Sequence, residues 1–477
     1  MDTIIHGKIN VYLRNQLAQA ESRLQAYTVD HEGKPYIKRS IALILKKYIN
    51  DFTRQSTEPR WIAVPGLRGV GKTTILAQIY TELLCTPGCK LYISLDEAKK
   101  ILGVGLTDIL NVYEELLGKV YEELDQPIYL FIDEIQYEEN WGLILKSLYD
   151  RSKKIFIFCT GSSALSIQTN TDISRRIVFE KLYPMSFTEY IMLKQQRAPV
   201  LGLGKNIREA LLSASDAEEV YTMLKKLQSQ VNSYWLGINR LEIDNYLKYG
   251  TLPFTLQYNK ETLIYEQIEQ TLTNIINKDI PQLSRFDRST MLKLNQILYG
   301  VSGSSVTSFT KLSKNFSLSI NTLTEIFEVF EKAEILLRVY PYGSHFGQVR
   351  KPSKYLFISP SYRSMFFNLI GSTFTYNNYK GQLLEDAVSL YLYRLLKLHF
   401  GTSLTYDSAE GGADFIISFD NKKIILEVGY GNKDFTQVIS TMQRVNGNYG
   451  FSVSPSRLTY MKEKNVLSVP LSYFLLI

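Results

Sequence analysis

Between residues 61 and 179 two patterns alternate. Short uninterrupted apolar runs, WIAV (61–64), LYISL (91–95), IYLFI (128–132), IFIF (155–158) and IVF (177–179), recur with helix-like stretches between them. A run without alternation has no polar face, so it predicts a strand covered on both sides. Strands of that kind separated by helices form a parallel sheet with right-handed crossovers. Upstream, residues 1–58 read as helical, with IKRSIALILKKYINDF the clearest amphipathic stretch. After YPMSF (183–187) the pattern turns helical to about residue 282. Residues 284–370 combine helices with a short basic loop containing Gly and Pro. From 381 a helix leads into alternating strands and a final YFLLI. No internal repeat or low-complexity tract interrupts this α/β sequence.

Length and composition narrow the class. At roughly 100–200 residues per domain, 477 residues exceed one core. With 45% hydrophobic and 21% charged residues the chain can bury large cores. No apolar run approaches the roughly 18 residues that span a bilayer. The start, MDTIIHGKINVYLRNQ, has no signal-peptide core. A cytoplasmic chain without a membrane partner is therefore expected. Cys85, Cys89 and Cys159 are expected as free thiols of a reducing compartment; Cys85 and Cys89 could pair in principle, and no His or third Cys stands near them to build a metal site. His6, His31, His345 and His399 are scattered and suggest no metal or nucleophile set. Charge is more informative. Residues 281–380 hold twelve Lys and Arg against five Asp and Glu, an excess equal to the whole chain's formal +7. Such a local excess suits a polyanion such as double-stranded DNA, or forms a solvated face.

The strongest chemical signal is PGLRGVGKTTIL. Residues 66–73 fit GxxxxGK[ST], between the strand WIAV and the helix-like TTILAQIYTELL. Gly66, Gly69 and Gly71 let the backbone curl so that amides face phosphate oxygens. The helix start, with Lys72, Thr73 and Thr74, adds positive potential. Lys72 is expected on the β- and γ-phosphates of ATP and Thr73 on Mg2+. Further on, IYLFIDEIQ ends a strand in Asp133, placed to hold Mg2+, and Glu134, placed to polarise the attacking water. The next strand ends in CTGSS, where Thr160, Ser162 or Ser163 would sense the γ-phosphate. Arg175 and Arg176 precede the fifth strand, where an arginine can stabilise transition-state charge.

Taken together, GLRGVGKTTIL, FIDEIQYEENWGLILKSLYD, FCTGSSALSI and RRIVFEKLYPMSFTEY resemble successive signatures of archaeal and bacterial AAA-type (P-loop, ASCE) ATPases. The resemblance implies that Arg176 is the functional arginine, acting within a homo-oligomer if it acts in trans. Arg175 stands where the family usually has Gly. YLKYGTLPFTL continues the likeness as a lid-like helical segment.

The resemblance also implies a winged helix and a C-terminal restriction-endonuclease-like domain. SFTKLSKNF would be a first helix, SLS a turn and INTLTEIFEVFEKAEI a second helix, before a wing with Arg350, Lys351 and Lys354. Asn321, Thr322 and Thr324 would meet bases, whereas Glu325, Glu328, Glu331 and Glu334 along the same helix oppose deep groove insertion. In the last part, Glu385, Asp414 and Glu427 match the acidic positions of a metal-dependent nuclease. Gly429 replaces the usual lysine, with Lys423 or Lys433 as substitutes, and Gln437 matches a further position. A degenerate nuclease is favoured over an active one. The expected divisions are an N-terminal helical segment (1–58), a P-loop ATPase core (59–190), a helical lid (191–283), a winged helix (284–370) and a nuclease-like domain (371–477). The expected function is Mg-dependent ATP hydrolysis coupled to DNA. The alternatives are an ATP-regulated switch and an ATP-gated nuclease.

Overall fold

The computed structural model describes residues 3–55, 57–86, 88–162, 171–304, 306–369, 375–396, 401–419, 422–431 and 434–477. It divides into two compact units, Met1–Tyr183 and Pro184–Ile477.

The first unit is built on a five-stranded parallel sheet. Its strands are β1 (Trp61–Pro65), β2 (Lys90–Ser94), β3 (Ile128–Asp133), β4 (Ile155–Gly161) and β5 (Val178–Phe179), in the order β2-β3-β4-β1-β5. The apolar runs are therefore the strands, and both faces are covered. Leu130 and Ile132 of β3 pack with Trp61, Ile93 and Ile157 and with Ile9 and Leu13 of the N-terminal helix Thr3–Gln25. The intervening Tyr129 and Phe131 turn to the other face, against Phe52 of helix Ile41–Gln55 and Tyr80 of helix Lys72–Glu82. Ile75, Leu76 and Ile79 are buried along that last helix, whereas Leu83 caps its end and is half-buried.

One expectation fails just after this helix. Cys85 and Cys89 are joined by a disulfide, not free. The four-residue spacing across the turn brings their Cα atoms to 6.4 Å, within bridging range. Cys159 is a free, buried thiol in β4.

The second unit carries an eight-stranded mixed sheet. Its strands are β6 (Leu336–Pro341), β7 (Lys354–Phe357), β8 (Ser403–Tyr406), β9 (Phe415–Phe419), β10 (Lys422–Val428), β11 (Tyr449–Ser454), β12 (Thr459–Met461) and β13 (Val466–Pro470), in the order β12-β13-β11-β10-β9-β8-β6-β7. The antiparallel hairpin β6–β7, expected as a wing, extends this sheet because β6 pairs in parallel with β8. Helix Tyr376–Leu396 is buried all round from Leu383 to Leu392 and lies in the core. Helices Leu203–Ser213 and Ala217–Trp235 join the same core. Tyr449 donates to the Leu211 carbonyl (2.8 Å) and Trp235 to the Ser472 carbonyl (2.8 Å). Packing thus runs continuously across residues 283/284 and 370/371. Helices Phe309–Phe316 and Ile320–Lys332 are joined by the turn at residues 317–319, where Ser319 caps the second through the Thr322 amide (3.0 Å). Among the described residues no helix is long and apolar enough to cross a membrane.

Candidate nucleotide site

The loop after β1 is shaped by its glycines. Gly69 (φ 85°) and Gly71 (φ 95°) are left-handed, a region that costs other residues about 1–2 kcal/mol. At Gly66 a Cβ would lie 2.4 Å from the Leu182 carbonyl oxygen, so the constraint there is space. Gly71 caps helix Lys72–Glu82 without a side chain, leaving the amides of the first turn to an anion. Thr74 lies half-buried on that turn. Lys72 is buried, its ammonium donating to the carbonyls of Gly66 (3.0 Å) and Leu67 (3.2 Å).

β3 brings the carboxylates to this loop. Thr73 donates its hydroxyl to Asp133 Oδ2 at 2.8 Å, and Thr160 at the end of β4 donates to Asp133 Oδ1. Burial, reinforced by the neighbouring Glu134 carboxylate, raises the Asp133 pKa against the opposing pull of Thr160, Thr73 and Lys72. Glu134 adopts a left-handed backbone (φ 55°), and its amide donates to the Thr160 hydroxyl (3.3 Å). The side-chain amide of Gln136 donates to the Glu134 carboxylate, and Gln136 Oε1 accepts from the Ser162 amide (3.2 Å). Glu134 and the end of β4 are therefore linked through one side chain that the sequence did not single out. Ser163 lies outside the described residues.

Arg39 was also missed. It is 5% exposed and donates to the carbonyls of Val70 (3.0 Å) and Tyr183 (2.9 Å), so it braces the glycine loop from an upstream segment. No local pattern marks it, because its partners lie 31 and 144 residues away. Arg176 stands apart from these contacts. It pairs with Asp150 of helix Trp141–Arg151 at 2.8 and 3.0 Å, and Arg175 is exposed.

The second expected acidic set also converges, on a lysine. Lys354 of β7, expected on an exposed wing, is 4% exposed. Its ammonium pairs with Asp414 Oδ1 (2.9 Å) and with Glu385. Glu427 accepts the Asp414 amide (3.2 Å), and Asp414 Oδ2 accepts the Val428 amide (2.9 Å). Glu385, Asp414 and Glu427, expected as the acidic set of a degenerate nuclease with a second metal site as the alternative, have an ammonium between two of them, and among the described residues no group of three or more His, Cys, Asp or Glu is arranged to hold a metal ion. Lys423, one of the two substitute lysines, does not take this place. Lys423 donates to the Val445 carbonyl (2.7 Å), and Lys433 lies outside the described residues. Gln437 lies in helix Thr436–Val445.

Comparison with known proteins identifies a domain that contains the glycine loop. Residues 58–191 match a family model described as an AAA domain, and residues 240–370 match one described as a domain of unknown function. An uncharacterized protein of Methanocaldococcus jannaschii is 35% identical over 477 residues, covering 98% of this chain and 94% of its own length. A second uncharacterized protein of that organism is 23% identical over 365 residues, covering 76% of this chain and 72% of its own. Among solved structures, RuvB of Thermotoga maritima aligns over 64% of this chain and 90% of its own, at 15% identity and a TM-score of 0.30.

Proposed function

The chain belongs to the AAA-type P-loop ATPases, and from that premise we propose that it binds ATP with Mg2+, hydrolyses it, and couples the cycle to double-stranded DNA. The observation that carries the proposal is the 2.8 Å contact between Thr73 and Asp133. It joins the glycine loop to the end of a strand 60 residues away.

The residues suit a magnesium nucleotide. The cradle at Gly66 excludes a side chain, the helix start is uncapped, and a hydroxyl and a carboxylate stand together beside it. Thr73 and Asp133 would hold Mg2+, which supplies neutralisation of phosphate charge. Lys72 exchanges its loop carbonyls for phosphate oxygens. Glu134 orients and polarises the attacking water once it leaves Gln136. Arg176 acts on a neighbouring copy, which makes the working form a homo-oligomer. The hold of Gln136 on Glu134 favours a second reading, in which ATP acts as a slow switch.

The DNA part rests on reading residues 284–370 as a winged helix. Lys311, Lys314, Arg350 and Lys351 are exposed there, and so is Asn321 at the start of the second helix. Glu325 and Glu328 are exposed further along that helix, so the cations flanking it would carry the phosphate contacts.

The test is the Glu134→Gln variant, assayed by calorimetry and by steady-state turnover. ATP–Mg2+ binding should persist while hydrolysis falls by about 10²-fold or more. Undiminished turnover would remove Glu134 from the mechanism. A wild type with no affinity for ATP–Mg2+ would end the proposal.

A further inference from the structure

Three carboxylates, Glu385, Asp414 and Glu427, are drawn together inside the second unit, where an uncompensated negative charge is costly. Helix Tyr376–Leu396 supplies Glu385. Asp414 stands just before β9, and Glu427 lies on β10. Such a cluster needs a cation. The chain delivers one from β7, 60 residues before Asp414, because the β6–β7 hairpin is stitched onto the sheet through β8.

From this geometry we infer that the cluster is a cation site whose occupant is the protein's own Lys354 ammonium, which takes the position of a divalent metal and leaves the second unit without metal-dependent nuclease chemistry.

Two observations support the assignment. The ammonium bridges Glu385 and Asp414 with its side chain only 5% exposed. The rings of Phe415 and Tyr406 lie 5.1 and 5.9 Å from it. Such π-faces suit an ammonium. The adjacent Asp386 does not compete. It is satisfied by Arg363 at 2.6 and 2.9 Å, both side chains being fully buried.

The assignment stands apart from the nucleotide site and is tested without nucleotide, on the full chain, with Mn2+ as the probe. Calorimetry and electron paramagnetic resonance would count bound Mn2+ in wild type, Asp414→Asn, Lys354→Ala and the double variant. Wild type and Asp414→Asn should bind alike. Lys354→Ala should gain one Mn2+ per chain together with a Mn2+-dependent rise in Tm, and the double variant should lose both. Mn2+ that binds wild type and is lost in Asp414→Asn overturns the inference, because a metal then displaces the lysine. A folded Lys354→Ala that takes up no additional Mn2+ overturns it as well. If Lys354→Ala folds only when Mn2+ is supplied, the metal has replaced the ammonium and the inference stands. If it folds under neither condition, the comparison of wild type with Asp414→Asn still decides.

Discussion

Glu331 shows how far one environment can move one group. It lies on helix Ile320–Lys332, 3.8 Å from Arg338, with its side chain 30% exposed. Burial raises its pKa to about 7 from 4.5. Arg338 opposes the shift, and the Glu328 carboxylate adds to it. The folded state therefore keeps this proton to higher pH than the unfolded chain does. The stabilisation is fully present below about pH 4.5 and is lost as pH rises through about 7. Glutamine cannot ionise, so Glu331→Gln should match wild type near the acid end and become the more stable of the two above neutrality. Thermal unfolding of both proteins across that window checks the sign. A stability difference that does not change with pH would mean that Glu331 titrates normally. The same scale separates what motif reading can find from what it cannot. Thr73 and Asp133 meet because one opens the helix after β1 and the other ends β3, two strands whose positions are set by apolar residues. Arg39 and Lys354 are single basic residues whose meaning depends on carbonyls and carboxylates 31 or more residues away.

At the level of elements, the glycine loop is limited by a neighbouring strand connection and not only by its own dihedrals. Adding one methyl at Gly66 brings it 2.4 Å from the carbonyl oxygen of Leu182, and a backbone atom cannot rotate away. Gly66→Ala should push the loop off β5's continuation, lower the Tm of the first unit and weaken ATP binding more than tenfold. Differential scanning calorimetry with a nucleotide titration reads both. A variant with wild-type Tm and affinity would show that the loop has room. Elements differ in how plainly the sequence announces them. The first four strands of the first unit were legible because burial on both faces leaves their central positions apolar. The hairpin β6–β7 was expected as a wing and not as part of the C-terminal sheet, because a short segment's own residues say nothing of which distant strand it will pair with. The Cys85–Cys89 bridge was missed because composition speaks to the whole chain, whereas bridging depends on one turn.

On the scale of the whole molecule, charge and chemistry are segregated. The nucleotide residues lie in the first unit, while the excess positive charge of the sequence falls within residues 281–380 of the second. Any use of ATP on DNA must therefore join a catalytic unit that is not itself strongly basic to a binding unit with no phosphate loop. If the basic segment binds duplex through phosphates, each contact releases counterions and the affinity falls linearly in log salt, with a slope of about −0.9 per phosphate. The double variant Lys311→Ala/Lys314→Ala should then weaken duplex binding alike on unrelated sequences and make the slope shallower by about two. Fluorescence anisotropy at several salt concentrations measures both quantities. A wild type whose affinity ignores salt, or a double variant with an unchanged slope, would take these cations out of the interface. The basic excess would then serve solvation alone, and the ATP cycle would need a protein partner in place of DNA.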